Sequence, residues 1–193
     1  MSGIVETSDT HQPDEPRLVP GRACGTCMMC CKVPQIDELN KPAGVWCQHA
    51  INGRGCNIYD TRPSPCRAFY CSWMQDAGLG PEWKPDRSKF VVYVQRNGVN
   101  LQVAVDPKFP NAWTKEPYYA QIKKWARQGA DGGQFVFVRI GPRMLVVLPD
   151  RDADIGRVDA ADQVVVSRKP GPTGFVYDVT VKRGENPPPA ASP

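Results

Sequence analysis

The chain has 193 residues, of which 41% are hydrophobic and 23% charged, and its formal net charge is +4. This length and balance fit one packed domain, or one domain with a small metal-stapled module. The net charge is too small to indicate a nucleic-acid partner by itself. The longest clear apolar run, residues 144–148, is far shorter than the roughly 20 residues of a membrane-spanning helix, so we predict no membrane association.

The amino terminus bears on the compartment of the protein. It has no apolar stretch of the kind found in a secretory signal, and it carries several acidic residues instead. We therefore expect a cytoplasmic protein, whose thiols stay reduced. A disulfide-bonded fold in an exported protein is the alternative to this interpretation.

The cysteines are the most informative feature of the sequence. All eight lie between residues 24 and 71, and the rest of the chain contains none. A dense cluster in a reducing compartment indicates metal ligation rather than disulfide bonding. A C-x2-C pair aims two sulfurs at one ion, and four thiolates complete a tetrahedral zinc site or hold an iron–sulfur cluster. The predicted ligands are Cys24, Cys27, Cys30, Cys31, Cys47, Cys56, Cys66 and Cys71.

The spacing leaves the division of these ligands open. Eight thiolates suffice for two four-ligand sites or for one multinuclear site. Because Cys30 and Cys31 are adjacent, we expect them to serve two metal centres, or one of them not to be a ligand. His49 lies two residues after Cys47 and is a further candidate, since imidazole also binds zinc and iron. Thiolate ligands do not distinguish zinc from an iron–sulfur centre, because both suit soft sulfur.

Two segments carry a family resemblance. Residues 24–31 read CGTCMMCC, and residues 55–69 read GCNIYDTRPSPCRAF. They resemble the CxxCxxCC signature and the C-x-IY-x-x-RP-x-x-CR-x-F segment of the YkgJ-like cysteine-cluster family, over about residues 22–75. The family pattern includes eight cysteines, each with a counterpart here. The resemblance implies chelation of zinc or iron and a mostly bacterial setting. A relative with this cluster, flagellin lysine N-methylase, implies iron–sulfur chemistry with S-adenosylmethionine.

Arginines and aromatic residues lie among the cysteines. Arg62 and Arg67 are predicted either to offset thiolate charge or hold an anionic substrate, or to be ordinary surface side chains. Trp46, Tyr59 and Phe69 are predicted either to screen a metal from water or to form the small core of the module.

The remainder of the chain predicts an α+β fold. Residues 1–21 and 186–193 are expected to be flexible tails, with a cysteine module at 22–75 and an α+β domain at 84–185. Asn97-Gly98 between two runs rich in β-branched residues indicates a hairpin. A helix is predicted at 114–129, and strands at 90–95, 99–105, 135–140, 144–148, 164–167 and 175–181. The sum is an irregular metal-stapled module followed by a mostly antiparallel sheet with one packed helix.

Two weaker patterns compete with the cysteines. Residues 150–156 faintly resemble a calcium-binding loop, but a solvated acidic loop is the favoured interpretation. Lys123, Lys124 and Arg127 share the predicted helix with Trp125, as a nucleic-acid-binding face would. We favour an apolar stripe for the tryptophan and a solvated face for the cations.

Three classes of function remain. The favoured one is a metal-binding protein whose partners are metal ions and whose biochemical role is otherwise unassigned. The second is an iron–sulfur-dependent enzyme of methyl or electron transfer. The third is a zinc-finger-like adaptor for nucleic acid or protein. Sequence motifs for metal-dependent proteolysis, for a serine nucleophile elbow and for a phosphate-binding loop are absent.

Overall fold

A computed structural model of the protein describes residues 17–95, 99–172 and 174–184. Most of both predicted tails and the Asn97-Gly98 turn lie outside the described residues. The α-helices are α1 (Ser64–Ala68), α2 (Ser72–Gln75), α3 (Pro85–Ser88) and α4 (Tyr118–Ala130). The strands are β1 (Ala50–Ile51), β2 (Gly55–Cys56), β3 (Phe90–Val94), β4 (Leu101–Val105), β5 (Val136–Ile140), β6 (Arg143–Val147), β7 (Asp152–Arg157), β8 (Gln163–Gly171) and β9 (Gly174–Lys182). No helix in the described part of the chain has the length and hydropathy to cross a membrane.

The central element is a five-stranded sheet with the order β3-β4-β5-β6-β7. Its neighbouring strands are antiparallel except for β4 and β5, which run parallel. Parallel neighbours need a crossover connection, and α4 lies in the segment that joins these two strands. The predicted α+β fold with a mostly antiparallel sheet and one packed helix is therefore confirmed.

Strand β3 is buried on both faces and divides the core into two parts. Phe90 and Val92 lie in the cluster that also contains residues of α4. Val91 and Tyr93 belong instead to a cluster with residues of the cysteine region. This alternation follows from the two-residue period of a strand. The predicted pairing with β4 is confirmed, with Phe90 opposite Val105.

One face of the sheet is covered by α4. Ile122 and Ala126 are fully buried on that face, four residues apart on the helix. Trp83 and Trp113 complete this part of the core. The helix begins at Tyr118 rather than at residue 114, because residues 112–114 form a separate short 3-10 helix.

The opposite face has two covers. Met29 and Val33 of the cysteine region pack against Val91 and Ala104 of β3 and β4. The hairpin β8–β9 covers the rest of that face through apolar residues packed on β5 and β6. The residues of the hairpin that make this contact are Val164, Val166, Tyr177, Val179 and Val181. The cysteine region is thus attached to the part of the sheet that β3 and β4 form.

The favoured interpretation of residues 150–156 as a solvated loop was wrong. Most of this segment is strand β7, which pairs with β6. The carboxylate of Asp152 accepts a hydrogen bond from the hydroxyl of Tyr119 at 2.8 Å, and Asp154 pairs with Arg143. Side chains of neighbouring elements therefore bind these carboxylates, and the backbone of the segment pairs with β6 as a strand. Gly156 adopts a φ of +68° beside the register shift of this strand pair.

Gly44 marks a close approach between the cysteine region and the loop after β4. A Cβ atom at this position would lie 2.6 Å from Cγ of Pro107, and the residue has a φ of +79°. Its N–H donates to the carbonyl of Val33 at 3.1 Å. Glycine meets both requirements, because it has no side chain and adopts positive φ at little cost.

Candidate metal centre

The eight cysteines lie in a region of loops and very short elements, and all eight are free thiols. Cys24 is exposed, Cys47 is buried, and the others are half-buried. No disulfide joins them, so every sulfur is available as a thiolate ligand.

Four of the cysteines line one cavity of about 30 Å³, and we call them the first group. They are Cys24, Cys27, Cys30 and Cys71. The N–H of Cys27 donates to the carbonyl of Cys24 at 2.9 Å, which is the tight turn that the C-x2-C spacing predicts. Negative charge on Cys24 and Cys27 raises the pKa of both Cys30 and Cys71, which indicates that the four sulfurs lie near one another.

Arg22 holds Cys71 near the other members of the first group. Its guanidinium donates to the carbonyl of Trp73, to that of Asp76 at 2.8 Å and to that of Leu79 at 2.7 Å. The guanidinium carbon also lies 4.9 Å from the centre of the Trp73 ring. These contacts tie the segment that precedes Cys24 to the segment that follows Cys71.

The walls of the first-group cavity are mostly apolar. They include Phe69, Trp73, Met74, Pro85 and Val91, together with Lys84. Burial raises the pKa of the Cys27 thiol and that of the Cys71 thiol, because an apolar environment disfavours a thiolate. The negative charge of Asp86 adds to this effect at Cys27.

Near the first group, two buried polar side-chain atoms have no hydrogen-bond partner among the residues that the structure describes. They are Nε1 of Trp73 and Oδ1 of Asp86. An unpaired buried polar group is costly, and such groups in folded proteins call for an explanation such as a ligand or an ion. Of these two residues only Trp73 lines the cavity, so the pocket has an unused donor in Nε1 of Trp73.

The other four cysteines form the second group, which consists of Cys31, Cys47, Cys56 and Cys66. The N–H of Cys47 donates to the carbonyl of Cys31 at 2.9 Å. Cys56 lies on β2, and its strand partner Ala50 donates its N–H to the carbonyl of Cys47 at 3.0 Å. Charges on the other three members raise the pKa of Cys66, in addition to the larger effect of burial.

The adjacent residues Cys30 and Cys31 belong to different groups. A hydrogen bond between their side chains raises the pKa of Cys30 and lowers that of Cys31 to about 7. The positive charges of Lys41 and Arg62 also favour the thiolate of Cys31. The thiol of Cys31 therefore ionises more readily than that of Cys30.

A buried lysine is one of the cations close to the second group. Lys41 is only 5% exposed, and its ammonium donates to the carbonyls of Lys32 at 2.8 Å, of Pro42 at 3.1 Å and of Pro34. Burial lowers the pKa of Lys41 to about 8, while the charges of Cys47 and Cys31 act in the opposite direction. A thiolate site beside this ammonium would gain a counter-charge.

The aromatic residues and Arg67, which the sequence placed among the cysteines, lie in different environments. The ring of Phe69 packs edge-on against Tyr93 at 5.3 Å, so it joins the core between the cysteine region and the sheet. Trp46 and Tyr59 are 48% and 59% exposed, so the expectation that they form a small core was wrong. Arg67 is exposed.

Arg62 and His49 both lie near the second group in the chain. The guanidinium of Arg62 stacks on the ring of Tyr59 at 3.6 Å and donates a hydrogen bond to the carbonyl of Tyr59 at 2.7 Å. Its positive charge acts to lower the pKa of Cys31 and that of Cys66. His49 is half-buried, and its Nε2 lies 3.3 Å from the side-chain amide of Gln48. The carbonyl of His49 accepts the N–H of Asn57, so its backbone supports the loop that carries Cys56.

Neither group is arranged as a finished coordination shell. Within residues 17–95, 99–172 and 174–184, no three His, Cys, Asp or Glu side chains are placed to hold one metal ion. Comparisons of the chain with protein-family models, with curated proteins and with solved structures give no match. The interpretation of the two groups therefore depends on their own residues.

Sequence reasoning missed the charged and polar residues around the cysteines. Lys41, Trp73 and Asp86 carry no motif, and their burial depends on segments that are distant in the chain. The only local signal for Lys41 is its position beside Asn40, which adopts a left-handed conformation with a φ of +46°. That conformation ends the short 3-10 helix at residues 37–39 and turns the chain back into the module.

Proposed function

We propose that residues 22–75 form a metal-binding module that chelates zinc or an iron–sulfur centre through two sites of four thiolates each. The first and second cysteine groups supply these ligands. The observation that carries the proposal is that four of the cysteines, Cys24, Cys27, Cys30 and Cys71, line one cavity. Four thiolates are the number that structural zinc and iron–sulfur clusters require.

The chemistry of the surroundings supports this function. All eight sulfurs are free, as a reducing cytoplasm would keep them. A dication with four thiolates carries a net charge of −2, and Lys41 and Arg62 lie where they would offset it at the second group. The two segments that resemble the YkgJ-like family, residues 24–31 and 55–69, contribute six of the eight sulfurs.

Binding is expected to reorganise the module. Because the described side chains are not in a ligating arrangement, a metal would have to draw four sulfurs of each group inward. Metal ligation releases the thiol protons and transfers binding free energy to folding. Residues 22–75 then become more rigid on metal binding, while the α+β domain of residues 84–185 changes less.

Elemental analysis of the full chain, purified without oxygen, tests the proposal. We expect about two zinc ions per chain, or iron and sulfide with broad visible absorption. The variants Cys30→Ser and Cys31→Ser should each lose the metal of one site and retain that of the other. A protein that contains no metal, and that takes up none from zinc or from iron and sulfide, would contradict the proposal.

A further inference from the structure

Arginines of the cysteine region lack the counter-ions that cations of the α+β domain have. Within residues 84–185, seven ion pairs of the described residues join a lysine or an arginine to an aspartate. Arg54, Arg62 and Arg67 form no ion pair in the described part of the chain. Asp60 is the only acidic residue of segment 41–71. This segment therefore presents positive charge that the protein itself does not neutralise.

The three arginines lie around one place, the thiol of Cys66. Arg67 directly follows this cysteine, and the charge of Arg62 acts on it. Arg54 lies in the turn between β1 and β2, two residues before Cys56, whose charge also acts on Cys66. The folded chain thus gathers guanidinium groups from two separate segments. Arg54 and Arg67 are exposed.

Two exposed aromatic rings flank the same group of cysteines. Tyr59 is 59% exposed, and Trp46, which directly precedes a cysteine of the second group, is 48% exposed. The guanidinium of Arg62 stacks on Tyr59, and the ammonium of Lys32 lies 5.4 Å from the centre of the Trp46 ring. Neither ring contacts another aromatic ring among the described residues. Both rings are therefore available for stacking on a partner.

The loop that carries Tyr59 and two of the arginines is held in place by local contacts. The N–H of Thr61 donates to the carbonyl of Ile58 at 3.0 Å, and Arg62 donates to the carbonyl of Tyr59. The ring of Phe69, which follows the loop, lies in the core beneath it. A surface that is ordered before binding loses less conformational entropy when a partner docks.

The helix that the sequence suggested for nucleic acid does not offer such a surface. The ammonium of Lys123 donates to the carbonyl of Leu148 at 2.6 Å and lies 3.3 Å from the carboxylate of Asp152. Trp125 packs against Trp83, with 5.3 Å between the ring centres. One cation and the aromatic ring of α4 are thus already engaged within the domain.

From these observations we infer that the cysteine region binds single-stranded nucleic acid. A guanidinium without a counter-ion matches the geometry of a phosphate, and exposed aromatic rings stack on unpaired bases. A duplex keeps its bases stacked inside, so it would engage the arginines and leave the rings unused. The surface consists of Trp46, Arg54, Tyr59, Arg62 and Arg67. This inference is independent of the proposed metal sites, because none of these side chains is a proposed ligand.

The salt dependence of binding tests the phosphate contacts. Fluorescence anisotropy of labelled twelve-nucleotide oligouridine and oligothymidine, titrated with the full chain, gives the association constant. We expect its logarithm to fall with the logarithm of salt concentration with a slope of about −2, since each of three phosphate contacts contributes about 0.7. Arg67→Gln should reduce the steepness of this slope by about 0.7. Arg157→Gln, the matched control, removes an exposed guanidinium that pairs with Asp159 and should leave the slope unchanged.

Ring variants test the stacking. Tyr59→Leu should weaken binding about tenfold, whereas Tyr59→Phe should retain it, because the contact requires a ring and not a hydroxyl. Binding should also quench the fluorescence of Trp46, and Trp46→Phe should abolish that change.

Several outcomes would overturn the inference. They are the absence of binding at low salt, equal slopes in Arg67→Gln and Arg157→Gln, and equal affinities in Tyr59→Leu and Tyr59→Phe. Polyglutamate that displaces the oligonucleotide as well as unlabelled oligonucleotide does would show a general anion surface instead. Absence of metal from the chain contradicts only the proposed function, since these measurements do not depend on a metal.

Discussion

Lys32 and Asp106 form an ion pair with 2.6 Å between Nζ and Oδ2, and their side chains are only 8% and 5% exposed. Lys32 directly follows the CxxCxxCC segment, and Asp106 directly follows β4. The other carboxylate oxygen of Asp106 accepts the N–H of Lys108 at 3.0 Å. This pair therefore connects the cysteine region to the sheet beneath it.

Removing the carboxylate of Asp106 should strongly destabilise the folded protein. Asp106→Ala leaves the ammonium of Lys32 buried and unpaired, and we expect a loss of roughly 3–5 kcal/mol in the free energy of unfolding. Urea denaturation measures this loss. Asp154→Ala, which breaks the more exposed pair with Arg143, is the control and should change stability much less. Equal losses in the two variants would show that the buried pair has no special importance.

The aromatic core should depend strongly on Phe90. This residue is 0% exposed, and the centre of its ring lies 5.9 Å from that of Trp83 and 5.0 Å from that of Tyr118. Phe90→Ala should lower the free energy of unfolding by roughly 3–5 kcal/mol because it leaves a cavity. The matched control is Phe109→Ala, since Phe109 is 47% exposed. Similar denaturation midpoints for the two variants would contradict the packing described for Phe90.

Alkaline pH should destabilise the contact between the cysteine region and the sheet. Burial raises the pKa of Tyr93 from 10.0 to about 12, although the charge of Arg139 acts in the opposite direction. The pKa of Tyr93 in the folded state is above its unfolded value. The contribution of the neutral Tyr93 hydroxyl to the free energy of unfolding is therefore fully present below about pH 10, and it is lost as the pH rises toward 12. The full difference corresponds to roughly 3 kcal/mol in the free energy of unfolding.

Thermal unfolding of the native chain and of Tyr93→Phe, compared between about pH 9 and pH 11, checks this expectation. The variant has no hydroxyl to ionise, so its stability should fall less over this interval. If both proteins lose the same stability, the alkaline destabilisation arises from other groups.

Arg22 should control the local stability of the first cysteine group. Arg22→Gln removes the guanidinium that donates to the carbonyls of Asp76 and Leu79. Hydrogen bonds from a charged donor contribute roughly 1.5–3 kcal/mol each, so residues 71–79 should open more often. Amide hydrogen exchange measures this opening directly. Arg54→Gln, at an exposed position, is the control and should leave exchange in residues 71–79 unchanged.

Local patterns were sufficient for most of the sheet and its helix. Alternating β-branched residues predicted β3 and β4, and the apolar stripe that contains Ile122 predicted α4. Strand β7 was not predicted, because its acidic residues interrupt the alternation of apolar and polar side chains that indicates a strand. Its place in the sheet depends on Arg143 and Tyr119, which come from other elements.

The sequence by itself determined that eight thiols lie in one segment, and that Cys24 and Cys27 share a tight turn. Such spacing controls only the nearest neighbours, because turn geometry extends over a few residues. The tertiary structure decided that Cys71 lies near Cys24, because the guanidinium of Arg22 binds the carbonyls of the segment after Cys71. It also decided that Cys31 lies beside Cys47. It also decided the burial of Lys41. These relationships join segments far apart in the chain, and they depend on how the cysteine region packs on β3 and β4.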